Sequence, residues 1–196
     1  MQNPTCSYFV RPMHGYSFTV NTAHLTALAN GILWWPDRRL LCVSDLHLGK
    51  SERIARRGGS LLPPYENAET LARLSVSVAD LDPLTVICLG DSFDDLTSLD
   101  ALNEDDHTIL TAMMAGRRWV WIEGNHDPGP VNIGGAHVSE YETGPLVFRH
   151  IATPNAQGEI SGHYHPKARI PAKGAGASRP CFILDKNRVI LPAFGA

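Results

Sequence analysis

Basic charge is not in excess in this chain of 196 residues: 17 Lys+Arg stand against 20 Asp+Glu, a formal net charge of -3. That excludes a protein that coats nucleic acid by bulk charge. Cysteine is scarce, and Cys6, Cys42, Cys88 and Cys181 form no C-x-x-C pair. The spacing argues against a disulfide framework and against a structural zinc site built on thiolates. Cys42 and Cys88 lie inside apolar runs (LLCVSD, VICLGD), as buried free thiols of a reducing compartment do. No long apolar run is present either. Residues 12–36 lack Asp, Glu, Lys and Arg, but Ser17, Thr19, Asn21, Thr22, His24, Thr26 and Asn30 interrupt them, so no membrane span is expected. The opening MQNPTCSYFVRP has no basic start followed by an apolar core, so no secretory signal is expected and the cytoplasm is the expected compartment. Internal repeats and long charge blocks are absent. What is present, 43% hydrophobic against 19% charged residues, excludes a disordered chain and supports a sizeable core.

The 17 Gly and 14 Pro predict a turn-rich, strand-rich fold, and a length of 196 residues predicts a single domain over residues 1–196. Short branched or aromatic runs mark strands at 16–20, 40–44, 85–89, 118–122, 145–150, 159–163, 181–184 and 188–192. FILDKNRVIL reads as a hairpin turning at Lys186-Asn187. Leu71, Leu74, Val78 and Leu81 repeat at helical spacing and predict an amphipathic helix. A second helix is predicted from Asn103, which can cap it, to Gly116, which can end it. AKGAGAS (172–178) reads as a mobile loop. A strand-helix-strand rhythm from about residue 40 to 122, then a strand-rich second half, is an α/β domain.

Four predicted strands end abruptly in metal-binding residue types. LLCVS runs into Asp45-Leu46-His47, TVICL into Gly90-Asp91, RWVWI into Gly124-Asn125-His126-Asp127 after Glu123, and EIS into Gly162-His163-Tyr164-His165. Side chains alternate along a strand, so Asp45 with His47, and His163 with His165, can each aim two ligands at one place. The glycines let the backbone turn where the strands stop. Each D-x-H or H-x-H alone is weak, and GNHD alone can be a capped turn. Four of the nine histidines falling in such tips is a joint pattern of another kind. A His, Asp and Asn set without thiolate suits Mn, Fe or Zn. The ligands are too many for one ion, so two divalent metals are expected.

These ordered motifs resemble those of the calcineurin-like metallophosphoesterases. The tags WWPDRRLLCVSDLHLGKSERIARRG, SGHYHPKARI and VILPAFGA resemble, within them, the bacterial ligase-associated DNA damage response endonucleases. The resemblance implies an α/β (α+β) fold, the calcineurin-like four-layer sandwich of two mixed β-sheets flanked by helices. It implies that Asp45, His47 and His165 bind a first metal, that Asp91 bridges both, and that Asn125, His150 and His163 bind the second, with Mn2+ foremost. It implies that His126 sits near the substrate without being a ligand. It also implies hydrolysis of phosphodiesters by a metal-bridging hydroxide, DNA as substrate, and association with a DNA ligase and helicase repair set. Members carry a Gly-rich tail after the position of LPAFGA, which these residues do not include. Many members of the narrower family carry His where this chain has Asp94, which is either a support for a ligand or a solvated loop acid. His150, in VFRHIATP, is either a ligand or a surface histidine. Asp127 either orients His126 or caps a turn. His14, His24, His107 and His137 have no sequence partners and read as structural or solvent-facing.

Lys50, Arg53, Arg56 and Arg57 follow the first metal motif, offset only by Glu52. On a short helix they would either hold phosphates that flank the scissile one or form a solvated face. Three functions remain: a DNA endonuclease, a small-molecule phosphoesterase acting on a nucleotide-sugar lipid or cyclic nucleotide, and a dead scaffold. A scaffold would have lost ligands, and all expected positions are occupied. A lipid-cleaving enzyme would need an apolar cap, for which 196 residues leave little room.

Overall fold

The computed structural model describes residues 14–51, 65–95, 102–171 and 176–195. Seven strands form one mixed sheet in chain order: β1 (Gly15–Val20), β2 (Ala23–Leu28), β3 (Leu33–Trp35), β4 (Leu40–Val43), β5 (Thr85–Leu89), β6 (Arg118–Ile122) and β7 (Ala136–Val138). The first four meander antiparallel, and β4 to β7 run parallel. Helix α1 (Tyr65–Leu81) lies in the crossover from β4 to β5, and α2 (Glu104–Met114) in that from β5 to β6. Two right-handed crossovers advancing the same way along a sheet put both helices on one face. Leu71, Leu74 and Val78 of α1 accordingly share a core with Leu110 and Met113 of α2. The Asn103 side chain accepts the Asp106 N–H at 2.8 Å and caps α2, as its sequence predicts.

The second half adds β8 (Glu140–Thr143), β9 (Leu146–Arg149), β10 (Glu159–Ser161), β11 (Lys167–Ile170), β12 (Ala177–Pro180), β13 (Ile183–Leu184) and β14 (Arg188–Ile190). Five of these make a second sheet in the order β13-β14-β10-β9-β8, with β9, β10 and β14 parallel; β11 and β12 form a separate ribbon. Ala177 and Ser178 of the expected mobile loop are therefore strand residues, and 172–175 lie outside the described residues.

Period-two alternation builds both cores. Leu41, Val43, Val86, Cys88, Trp119 and Trp121 face the helices. Leu40, Cys42, Ile87, Leu89, Val120 and Ile122 face the second sheet, meeting Leu146, Phe148, Ile160 and Val189. Cys42 and Cys88 are buried, free and on opposite faces, and burial pushes both thiols well above their ordinary range. Among the described residues no helix covers the outer face of the second sheet, so three layers of the expected sandwich are seen. No helix among them is long and apolar enough to cross a membrane.

The parallel strands explain the site. β4, β5 and β6 of one sheet, and β9 and β10 of the other, all deliver their C-terminal ends to one edge of the sandwich, where the open ends of strands form a crevice.

Candidate metal centre

Past the end of β4, the chain keeps pairing with the segment after β5: His47 N–H donates to the Asp91 carbonyl at 2.9 Å and Leu48 N–H to that of Ser92 at 3.0 Å. The residues there are not extended. Asp45 (φ 53°), His47 (49°), Asp91 (47°), His163 (72°) and His165 (44°) are all left-handed. Such strain costs about 1–3 kcal/mol per residue and concentrates at functional sites. The pleat argument for D-x-H and H-x-H thus names the right residues for a wrong reason, and for one pair it fails. Asp45 and His47 converge with His165, whereas His163 converges with Asp91 and His150. His163 and His165, two residues apart on a left-handed and not a pleated backbone, therefore fall in different groups.

In the first group, His165 Nε2 lies 3.1 Å from Asp45 Oδ1 and 3.4 Å from His47 Nε2. Asp45 is fully buried; its Oδ2 accepts the His163 N–H at 3.0 Å and the Ser44 hydroxyl, while among the described residues none donates a hydrogen bond to Oδ1. In the second, His150 is 4% exposed and its Nδ1 donates to the Leu89 carbonyl at 2.7 Å. Its Nε2 then offers a lone pair. That nitrogen faces Asn125 Oδ1 at 3.0 Å, Asp91 Oδ2 at 3.2 Å and His163 Nδ1 at 3.2 Å. Electron pairs from four side chains meet at one point, an arrangement that a divalent cation satisfies and a single proton does not. The donor chemistry of both groups fits a metal.

Electrostatics agree. Burial raises the Asp91 carboxyl, but the His150 ring and the His126 N–H outweigh it and hold it down at about 2. Burial lowers His150, but Asp91 and the Leu89 carbonyl outweigh it and push it up. His150 is a buried member of the second candidate group rather than a surface histidine.

Three other expectations resolve here. Asp94 is buried, 2% exposed, with Oδ1 at 3.3 Å from His47 Nδ1, so it lies behind a member of the first candidate group and is no solvated loop acid. Asp127 does not orient His126. Its two oxygens accept the N–H groups of Asp91, Ser92, Phe93 and Gly124 at 2.9–3.1 Å, tying the loop after β6 to the loop after β5. His126 belongs to neither group: its Nδ1 is 3.2 Å from the Asp94 carbonyl, and its ring stands edge-on to His47 with centroids 5.5 Å apart. Lys50 is described and half-buried, whereas Arg53, Arg56 and Arg57 and their expected helix lie outside the described residues.

Sequence reading missed the floor of the site. Phe194 N–H donates to the Ser44 carbonyl at 2.8 Å and Gly195 N–H to that of Asp45 at 3.0 Å, so the PAFG segment holds the first motif from behind. Nor was the reason for the glycines the turn alone. A Cβ on Gly162 would stand 1.7 Å from Ser44 Oγ and 2.9 Å from Asp45 Oδ2; one on Gly124 would stand 2.2 Å from Asp91 Oδ1. Gly162→Ala is expected to cost about 1–3 kcal/mol or more by overpacking and to displace Asp45. Thermal denaturation and metal content should both fall, while Gly129→Ala, where a Cβ meets nothing within 4 Å, should change neither.

Fold and donor set together define a metalloprotein with two adjacent candidate cation positions. Residues 38–174 match the family model for the calcineurin-like phosphoesterases. The crystal structure of Pseudomonas putida nuclease MPE is similar, with a TM-score of 0.76 and 26% identity over 93% of this chain and 88% of that one. A search of curated proteins found no match. The chain belongs to the calcineurin-like phosphoesterase family and is a metal-dependent phosphoesterase.

Proposed function

We propose that the chain acts as one metallophosphoesterase domain over residues 1–196 and hydrolyses phosphodiester bonds of DNA in repair. Two divalent ions serve it, manganese foremost, with iron and zinc as alternatives. Asp45, His47 and His165 hold the first, Asn125, His150 and His163 the second, and Asp91 both. The observation that carries this reading is the meeting of Asp91, Asn125 and His163 at the lone pair of His150, beside the Asp45 group. The similarity to a nuclease supports the choice of substrate, and a repair set with a ligase and a helicase remains its proposed setting.

When bound, the ions lower the pKa of water and offset charge on the phosphoryl oxygens. The chain supplies the rest. Asp91 keeps its carboxylate ionised and accepts the His126 N–H at 2.9 Å, which sets the GNHD loop against the site. His126, with Nδ1 directed to the Asp94 carbonyl, has Nε2 to carry a proton to the leaving oxygen. Lys50, Arg53, Arg56 and Arg57 hold phosphates beyond the scissile one.

Chelation should abolish hydrolysis, and manganese should restore it on single-stranded, duplex or nicked DNA. It should also raise the melting temperature, by a stabilisation of about 2.7 kcal/mol at a hundredfold excess over Kd. Turnover confined to small diesters would instead favour a small-molecule phosphoesterase. Metal binding without turnover of any phosphodiester would favour a scaffold.

A further inference from the structure

Immediately after His165 the chain leaves the sandwich as the ribbon β11–β12. Lys167 opens β11 two residues beyond the ligand, and the Cys181 N–H donates to the Pro166 carbonyl at 3.0 Å, closing the ribbon at its root beside the site. All four residues of β11 are exposed, as are three of the four in β12. Isolated two-stranded ribbons are at best marginally stable in water, so an exposed one carrying no core residue calls for another reason to exist.

Its composition suggests that reason. From Pro166 to Leu184 the sequence contains no Asp or Glu, in a chain whose acids outnumber its bases. Lys167 and Arg169 lie two apart on β11 and so share one face, roughly 6.8 Å apart along the strand, a spacing suited to successive phosphates of a polynucleotide. Arg179 pairs with Ala168 across the ribbon and stands on the other face. Among the described residues, no ion pair engages Lys167, Arg169 or Arg179. Arg179 and Pro180 of the ribbon line a cleft of about 780 Å3 together with Leu28, Pro192 and Phe194. Among the described residues the ribbon is thus exposed along both strands, basic and rooted beside His165.

We infer that β11–β12 is a backbone-gripping arm: Lys167, Arg169 and Arg179 hold the phosphates of a nucleic acid on the His165 side of the metal centre. The inference rests on the proposed function for its substrate class. It adds a second basic element, on the far side of the site in sequence from Lys50 and the arginines that follow it.

The test replaces all three with alanine and measures binding of a fluorescent DNA oligonucleotide against salt, in chelator, so that no hydrolysis is needed. Each lost contact should flatten the log–log salt dependence by about 0.7–0.9, so the triple variant should lose about 2–3 in slope and about tenfold or more in affinity at low salt. Turnover of a small chromogenic diester with manganese should stay at the wild-type rate. Unchanged DNA binding, or equal losses on DNA and the small diester, would overturn the arm. Should the triple variant fold poorly, Lys167→Gln and Arg179→Gln separately should each remove about one contact's slope. The two readings can fail separately. Wild-type protein that binds the oligonucleotide through these residues but never cuts it would defeat the nuclease reading and leave the arm standing; cutting that is indifferent to all three variants would do the reverse.

Discussion

Asp91→Ala is expected to lose metal and activity together. Asp91 is the residue proposed to serve both candidate groups: Oδ2 lies 3.2 Å from His150 Nε2 in the second group, and Oδ1 accepts the N–H of His126, whose ring stands edge-on to His47 of the first. With its carboxyl held at about 2, it is ionised at every pH at which the protein would work. The sign follows from that depression: the stabilisation it gives is present above the ordinary carboxylate pKa and is lost as pH falls towards 2. A divalent ion, when bound, would take the place of the His150 proton as the partner of this carboxylate. Losing several kcal/mol of charge stabilisation should cut kcat/KM by about 10³-fold or more. Asp91→Asn, which keeps the shape and the acceptor for His126, should lose metal almost as fully, separating charge from packing. Two ions per chain in Asp91→Ala by elemental analysis would overturn the bridging role.

The parts of this architecture that were legible in sequence are those governed by local rules. β4, β5 and β6 are apolar runs buried on both faces, and such strands announce themselves by continuity. α1 shows its face through Leu71, Leu74 and Val78, and α2 shows its cap through Asn103. The motif tips were legible because residue chemistry, not geometry, marks them.

Elsewhere the deciding contacts are distant. β2 and β3 lie in the charge-free stretch that sequence reading used only to exclude a membrane span; their identity as strands depends on pairing with β1 and β4. β11 and β12 have no apolar alternation because they have no core to face. The allotment of His163 and His165 to different groups is set by where the folded segments meet, on a left-handed backbone that no periodicity encodes. The Asp127 carboxylate looked equally able to hold a neighbouring imidazole or a turn. Only the fold brings three N–H groups of residues 91–93 against it, and burial then raises its pKa despite them. His150 carries no motif at all; its place is set by the Leu89 carbonyl and by Gly90, where a Cβ would stand 2.5 Å from its Nδ1.

His126→Ala is expected to separate chemistry from metal binding. Its ring belongs to neither donor group, and its Nδ1 is 3.2 Å from the Asp94 carbonyl, so the remaining nitrogen is the one able to serve the substrate. The backbone N–H that supports Asp91 survives the substitution, since alanine keeps it. Both ions should therefore remain by elemental analysis while kcat falls by about 10²–10⁴-fold, the range typical of a lost general acid. The leaving group decides between roles. A DNA alkoxide needs a proton as it departs, whereas a nitrophenolate departs without one, so the loss should be large on DNA and small on the chromogenic diester. Equal losses on both substrates would mean that His126 stabilises the phosphoryl oxygens instead of protonating the leaving group, and loss of an ion would make it a ligand. Either result would leave Asp94 holding His126 for a different purpose, since the carbonyl fixes the ring whichever task its free nitrogen performs.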